Sequence, residues 1–221
     1  MTAATTQTYL AEIVAELNKP WPGNRTINLV FHGHSVPAGY FATPMVDTFN
    51  AYPHLAHVAL KQRFPLAVIN AVVTAVGGET SRSGAERFAR DVLCHRPDVI
   101  LLDYALNDRG LGLAAAEVAW RRMIEDALAA RLKMILLTPT SDRTQEAGYA
   151  GADREALPRH AGLVRQLAAE YGVGLADSLA AFEAYAQAGD LLDLLSWVNH
   201  PNRRGHDLVV REILRWFPPG P

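Results

Sequence analysis

Two hydrophobic rhythms alternate along the chain. Short apolar runs occupy Ile27–Phe31, Leu66–Val73, Val99–Leu102, Met134–Leu137 and Val173–Ala176, each of strand length and several rich in β-branched residues. Between them apolar residues return every three or four positions, the period of a helix with one buried face. Leu157, Ala161, Val164, Ala168 and Tyr171 form the clearest such stripe. The same period predicts helices over Tyr9–Asn18, Tyr52–Arg63, Ser83–Cys94, around Trp120–Leu128, around Leu179–Ala186, and through Val209, Ile213 and Trp216. Pro20-Trp21-Pro22-Gly23 ends the first helix, and Pro53 suits the first turn of the second.

Solidly apolar strands between amphipathic helices mean a parallel sheet covered on both faces. Right-handed crossovers then give a doubly wound α/β fold. The expected architecture is a three-layer α/β/α sandwich on a five-stranded, mainly parallel sheet. It forms one domain over residues 1–221, with 1–24 as an N-terminal helix and linker. No repeat or low-complexity tract divides the chain.

Of 221 residues, 49% are hydrophobic and 20% charged, which suits a globular protein and excludes a disordered one. Lys and Arg total 21 against 23 Asp and Glu, so no basic excess points to a nucleic-acid partner. The single cysteine, Cys94, excludes an internal disulfide framework and a multi-cysteine metal site, and is expected to be an inert, packed thiol. No apolar stretch reaches the roughly 20 residues a membrane helix needs. Met1-Thr-Ala-Ala-Thr-Thr-Gln lacks the basic start of a secretory signal, so the expected location is cytoplasmic, with no membrane partner. Nothing in the sequence marks an oligomeric state.

In doubly wound folds ligands bind where the strands end, so the segments after the strands carry the chemistry. They are His32-Gly33-His34-Ser35 after the first strand, Gly77-Gly78-Glu79 after the second and Asn107-Asp108 after the third. Asn199-His200-Pro201-Asn202 stands near the C-terminus. Together they place a hydroxyl, an unobstructed glycine N–H, an amide and an imidazole at one sheet edge. Those are the parts of an acyl-transfer site. A serine needs a base to become a nucleophile, and the oxyanion it creates needs preorganised donors. Gly78 N–H, the Asn107 amide and Ser35 N–H are candidate donors.

The four segments, in this order and spacing, resemble the sequence blocks of the SGNH (GDSL-type) hydrolases, a family of esterases and lipases. The resemblance spans about Ile27 to Val210, and its most specific part is His200-Pro201-Asn202-x-x-Gly205-His206. It implies a flavodoxin-like sandwich, Ser35 as nucleophile and first oxyanion donor, Gly78 and Asn107 as further donors, and His200 as base, with no cofactor. The sequence departs from the family pattern at three places. His34 and Trp197 stand where the family usually has acids, and Ala105 where it has glycine. The third triad member normally holds the imidazole tautomer. Three arrangements would accommodate its absence: a backbone carbonyl or Asn199 orients His200; a distant carboxylate does so, Asp193 before Glu79 or Asp207; or the site is inactive.

Other readings are blander. His32 and His34 alternate and so share a face, which with His200 or His206 would suggest an imidazole metal site. No zinc motif supports one, and His34 is expected to hydrogen-bond within the site wall, another possible orienting residue. Trp197 and Trp216 are read as core, with a sugar-stacking role for Trp197 as the alternative. Glu79 is expected to order its loop. Ser141–Asp153 and Val36–Thr43 are expected to shape the substrate site. The reading favoured is hydrolysis of a short acyl ester, such as an acetyl group on a carbohydrate or polar alcohol. A non-catalytic carbohydrate-binding domain is its rival. A nucleotide- or flavin-binding module is disfavoured, because no phosphate-cradling glycine motif follows the first strand.

Overall fold

The computed structural model describes residues 3–146, 148–149 and 153–219. Five strands, β1 (Thr26–Gly33), β2 (Val68–Val73), β3 (Val99–Asp103), β4 (Lys133–Leu137) and β5 (Gly174–Ala176), form one sheet. Its order is β2-β1-β3-β4-β5 and every pairing is parallel. The helices are α1 (Ala11–Leu17), α2 (Ser35–Ala38), α3 (Tyr52–Arg63), α4 (Ser81–Asp91), α5 (Leu113–Ala129), α6 (Ala156–Tyr171), α7 (Ser178–Ala186) and α8 (Arg203–Leu214).

Each sheet face carries its own core, as an α/β/α sandwich requires. Leu29, Phe31, Leu101 and Ile135 pack with Leu55 and Leu60 of α3, Phe182 of α7 and Val209 of α8. Val30, Ile100, Leu102 and Leu136 face Phe88 of α4, Trp120 and Met123 of α5, and Leu167 of α6. All five residues of the central β3 are buried. Each such aliphatic or aromatic side chain contributes about 1.5–3 kcal/mol by leaving water, which is why the apolar runs become interior strands. No described helix is long and apolar enough to cross a membrane.

After β1 the chain adds β2 on one side and β3 on the other, so the order reverses between β1 and β3. A crevice at the strand ends follows. The neighbouring strand ends are close there, with Gly33 paired to Asp103. A Cβ on Gly33 would lie 2.3 Å from the Asp103 carbonyl oxygen and 2.8 Å from Pro37 Cγ, so only glycine fits.

Three expectations fail. α4 ends at Asp91, leaving Cys94 exposed on the 3-10 turn Leu93–His95 rather than packed. Trp216 is buried and donates Nε1–H to the Leu175 carbonyl at 2.8 Å, but Trp197 is 59% exposed and no part of the core. His32 and His34 do not share a face. β1 stops at Gly33 and the backbone turns, so His32 packs on Phe88 and Tyr104 while His34 faces Asp103, a hydrogen-bond partner of Tyr52 on the opposite side.

Candidate active site

Ser35 is the first residue of α2, a four-residue helix that follows β1 directly. His34 is its N-cap, with Nδ1 accepting Val36 N–H at 3.2 Å, and Gly39 closes the turn at φ 92°. A helix this short cannot sustain itself, so its caps hold Ser35 in place.

His200 reaches the serine from the far end of the sequence, across 165 positions, with Nε2 2.9 Å from Ser35 Oγ. Its loop is built by the block that follows. Asn202 caps α8 through Arg204 N–H at 2.9 Å and Gly205 N–H at 3.2 Å, while its amide donates to the Asp193 and Leu195 carbonyls. Ser196 N–H donates to the His200 carbonyl at 3.0 Å. A Cβ on Gly205 would lie 2.5 Å from the Leu194 carbonyl oxygen and 2.7 Å from Pro201 Cβ, so α8 seats against the loop with no gap.

The second ring nitrogen of His200 faces the main chain. Nδ1 lies 3.1 Å from the Phe41 carbonyl and 3.5 Å from Thr43 Oγ1. A carbonyl only accepts, so Nδ1 carries the proton and Nε2 offers its lone pair to the Ser35 hydroxyl. Burial pushes the His200 pKa below 6.5; the Phe41 carbonyl opposes this and the neighbouring His34 adds to it. The ring is therefore neutral at pH 7, the form a base requires.

None of the side chains considered as orienting groups reaches Nδ1 of His200. The Asp193 carboxylate accepts the Tyr185 hydroxyl at 3.0 Å. Asn199 lines the reactive cleft. Asp207 lies 3.5 Å from Arg203, and Glu79 is held by Arg87. His34 stands on the other side of the serine, with Nδ1 3.5 Å from Oγ. A main-chain carbonyl has no side-chain signature, so sequence reasoning could name the class of partner but not Phe41.

The candidate donors Gly78 and Asn107 lie at two further strand ends. Gly78 adopts φ +79° with open space around it, so it is chosen for its backbone conformation rather than for room. Its neighbour Gly77 touches the Tyr40 ring, where a Cβ would approach to 2.8 Å. Asn107 donates one amide hydrogen to the Glu79 carbonyl at 2.9 Å, which leaves its second N–H for the cleft. The Glu79 carboxylate accepts Arg87 Nε–H at 2.8 Å and the Tyr104 hydroxyl at 2.8 Å. Asp108, to which sequence reasoning gave no role, is fully buried and accepts Ser81 N–H at 2.8 Å and Trp120 Nε1–H at 2.7 Å. It ties the start of α4, just past Gly78, to the turn that carries Asn107. Burial raises its pKa.

Ser35, Gly78, Asn107 and His200, with Tyr40, Thr43, Gly77 and Asn199, line one cavity of about 380 Å³. The structure thus unites all four blocks. Val36–Thr43 contributes to this wall, but none of the described residues of Ser141–Asp153 does. Ser141, Gln145 and Glu146 line a separate hollow of about 710 Å³, and residues 147 and 150–152 of that stretch lie outside the described residues. Among the described residues no group of three or more His, Cys, Asp or Glu side chains is arranged to hold a metal ion.

Comparison with known proteins bears on the fold and the family. An acetylxylan esterase from Geobacillus stearothermophilus superposes with a TM-score of 0.74 at 22% identity, over 86% of this chain and 94% of that one. A variant of the same esterase gives 0.75 at 21% identity, over 88% and 96%. A GDSL-like lipase-type protein from Parabacteroides merdae gives 0.72 at 16% identity, over 86% and 95%. These likenesses show the fold. No protein with a curated description matches the sequence significantly. The model of the GDSL-like lipase/acylhydrolase family matches residues 31–208, most of the chain, and to that family of serine hydrolases acting on carboxylic esters the chain belongs.

Proposed function

We propose that the protein removes a short acyl group, such as acetyl, from a carbohydrate or other polar alcohol through an acyl-enzyme on Ser35. The observation that carries this reading is the 2.9 Å contact between Ser35 Oγ and the unprotonated Nε2 of His200, inside a cleft shared with Gly78 and Asn107. As Oγ bonds to the ester carbonyl carbon, its proton passes to Nε2, and the Phe41 carbonyl holds the opposite N–H of the imidazolium. Ser35 N–H, Gly78 N–H and the free Asn107 amide hydrogen receive the oxyanion. The imidazolium then protonates the leaving alcohol as the C–O bond breaks. Water, deprotonated by the same nitrogen, attacks the acyl carbon and releases the acid, and Ser35 recovers its proton. The dimensions of the cleft and its small, polar lining favour a short acyl group. The shared fold with an acetylxylan esterase supports a sugar-bearing alcohol, on likeness alone.

The test compares p-nitrophenyl acetate, butyrate and octanoate with acetylated xylo-oligosaccharides, on the native protein and on Ser35→Ala. The expected result is a preference for acetyl, loss of turnover in Ser35→Ala, and an acylated Ser35 by mass spectrometry. Equal turnover in both proteins, or none in either, overturns the proposal. Preference for octanoate overturns its substrate class alone.

A further inference from the structure

Beside the serine, two buried polar atoms lack a well-formed hydrogen bond: Nε2 of His34 and Oδ1 of Asp103. They face each other at 3.4 Å, in a place where Asp103 is 3% exposed and His34 fully buried. The other ends of both groups are occupied. Nδ1 of His34 accepts Val36 N–H, and Oδ2 of Asp103 accepts the Tyr52 hydroxyl at 3.1 Å. A neutral imidazole whose Nδ1 is an acceptor carries its proton on Nε2. The two unsatisfied atoms are therefore a donor and an acceptor in the same dry space. A buried carboxylate oxygen without a donor is costly, and among the described residues no group hydrogen-bonds Oδ1.

We infer that His34 and Asp103 are a positioning pair for the nucleophile: Asp103 fixes the His34 ring as the Nε2–H tautomer, and the ring, through Nδ1, holds the turn that presents Ser35. This rests on Ser35 being the nucleophile proposed above. The opposite tautomer would set N–H against the Val36 N–H and open the cap. The ring takes the Val36 N–H, not that of Ser35, so the cap competes with no oxyanion donor. At 3.5 Å from Oγ, the same nitrogen also bounds the rotation of the serine side chain. Asp103 is itself held from behind. Tyr52 opens α3, and its N–H donates to Nδ1 of His206 in α8 at 3.1 Å. The chain of contacts thus couples the setting of Ser35 to the helix that follows His200.

The experiment measures kcat and KM on a short-chain ester, and the rate at which a fluorophosphonate labels Ser35. The proteins are the native chain, Ser35→Ala, His34→Ala, His34→Asn, His34→Asp, Asp103→Asn and the double variant His34→Asp/Asp103→Asn, with thermal melts alongside. Small displacements of a reacting group cost one to two orders of magnitude, so His34→Ala is expected to lose at least about tenfold in kcat and in labelling rate, with KM within about threefold. His34→Asn restores an acceptor for Val36 N–H and is expected within about threefold of native. His34→Asp alone sets two carboxylates together and is expected to be as slow as His34→Ala. The double variant gives that carboxylate an amide donor and is expected to regain at least about fivefold over His34→Asp. A role in stability alone would not move the labelling rate of folded protein in this order.

Native kcat in His34→Ala, an Asn variant as slow as the Ala variant, or no recovery in the double variant overturns the inference. Should His34→Ala fail to fold, the Asn variant and the exchanged pair decide it. Full turnover in Ser35→Ala sinks the hydrolase proposal instead, so the two failures are distinct.

Discussion

The edge of the His200 ring turned away from Ser35 rests on a main-chain oxygen, with Nδ1 3.1 Å from the carbonyl of Phe41. A carbonyl dipole fixes the tautomer as a carboxylate would but offers the imidazolium no full charge. In the proposed mechanism Ser35 and His200 act as a unit, so each single alanine variant is expected to lose about 10³-fold or more in kcat, and the double variant no more than the worse single one. Thr43→Val removes only a hydroxyl 3.5 Å from Nδ1 and is expected to cost less than about fivefold. Steady-state kinetics on a short-chain ester checks all four, and a Thr43→Val loss as large as that of His200→Ala would mean that the hydroxyl, not the carbonyl, orients the ring.

The pH profile follows from the burial of His200, whose pKa lies below 6.5. A base works while unprotonated, so kcat/KM is expected to fall with unit slope toward acid about a midpoint below 6.5, the ordinary imidazole value. Stopped-assay rates across this range locate the limb. A midpoint at or above 6.5 contradicts the stated environment.

Stability has its own dependence on acid. Burial lowers the pKa of His206 to about 3 and of His32 to about 4, from 6.5 in the unfolded chain. Below pH 6.5 the unfolded chain binds protons that the folded one refuses, so this contribution is complete above 6.5 and is lost as pH falls. Each of the two removes up to about 1.4 kcal/mol per pH unit. Urea unfolding at successive pH values is expected to show a falling midpoint that begins above the carboxylate range. His206→Gln is expected to flatten the slope by about half. Equal midpoints at neutral pH and well below 6.5 would refute the mechanism.

Asn107 uses one amide hydrogen on the Glu79 carbonyl, and in the proposed mechanism the other serves the oxyanion. Asn107→Ala is expected to lower kcat by about 10²–10³-fold with little change in KM. Gly78→Ala meets no clash, but its φ of +79° disfavours a side chain, so it is expected to cost about 1 kcal/mol of stability and to slow turnover by displacing the N–H. Unchanged kcat in Asn107→Ala would remove that residue from the site.

The layered fold was legible because burial writes itself into composition: strands such as Val99–Leu102, covered on both sides, can only be apolar. Strand order was not, since β2 and β3 each satisfy the same pattern on either side of β1. That Ser35, Gly78, Asn107 and His200 converge on one cavity was legible because the segments holding them follow strand ends and carry residue types suited to acyl transfer. Phe41 contributes a carbonyl common to all residues, and Asp103 acts through another side chain, so neither stood out. Trp197 misled because its large apolar ring suits either a core or an exposed loop. The expected shared face of His32 and His34 failed because the strand period does not continue past Gly33, where the backbone turns.

The absence of any gap around Gly205 sets what can vary in this enzyme. An imidazole whose loop is mounted hard against a core helix is fixed hardware, unable to drift without repacking the interior. On the opposite wall Tyr40 is packed against Gly77 and the Phe41 carbonyl holds His200, but Thr43, on the same excursion between α2 and α3, is exposed and free of that constraint. New substrate ranges, whether reached by evolution or by engineers, are to be sought at side chains such as Thr43, which can change while the Phe41 carbonyl and the imidazole stay where they are.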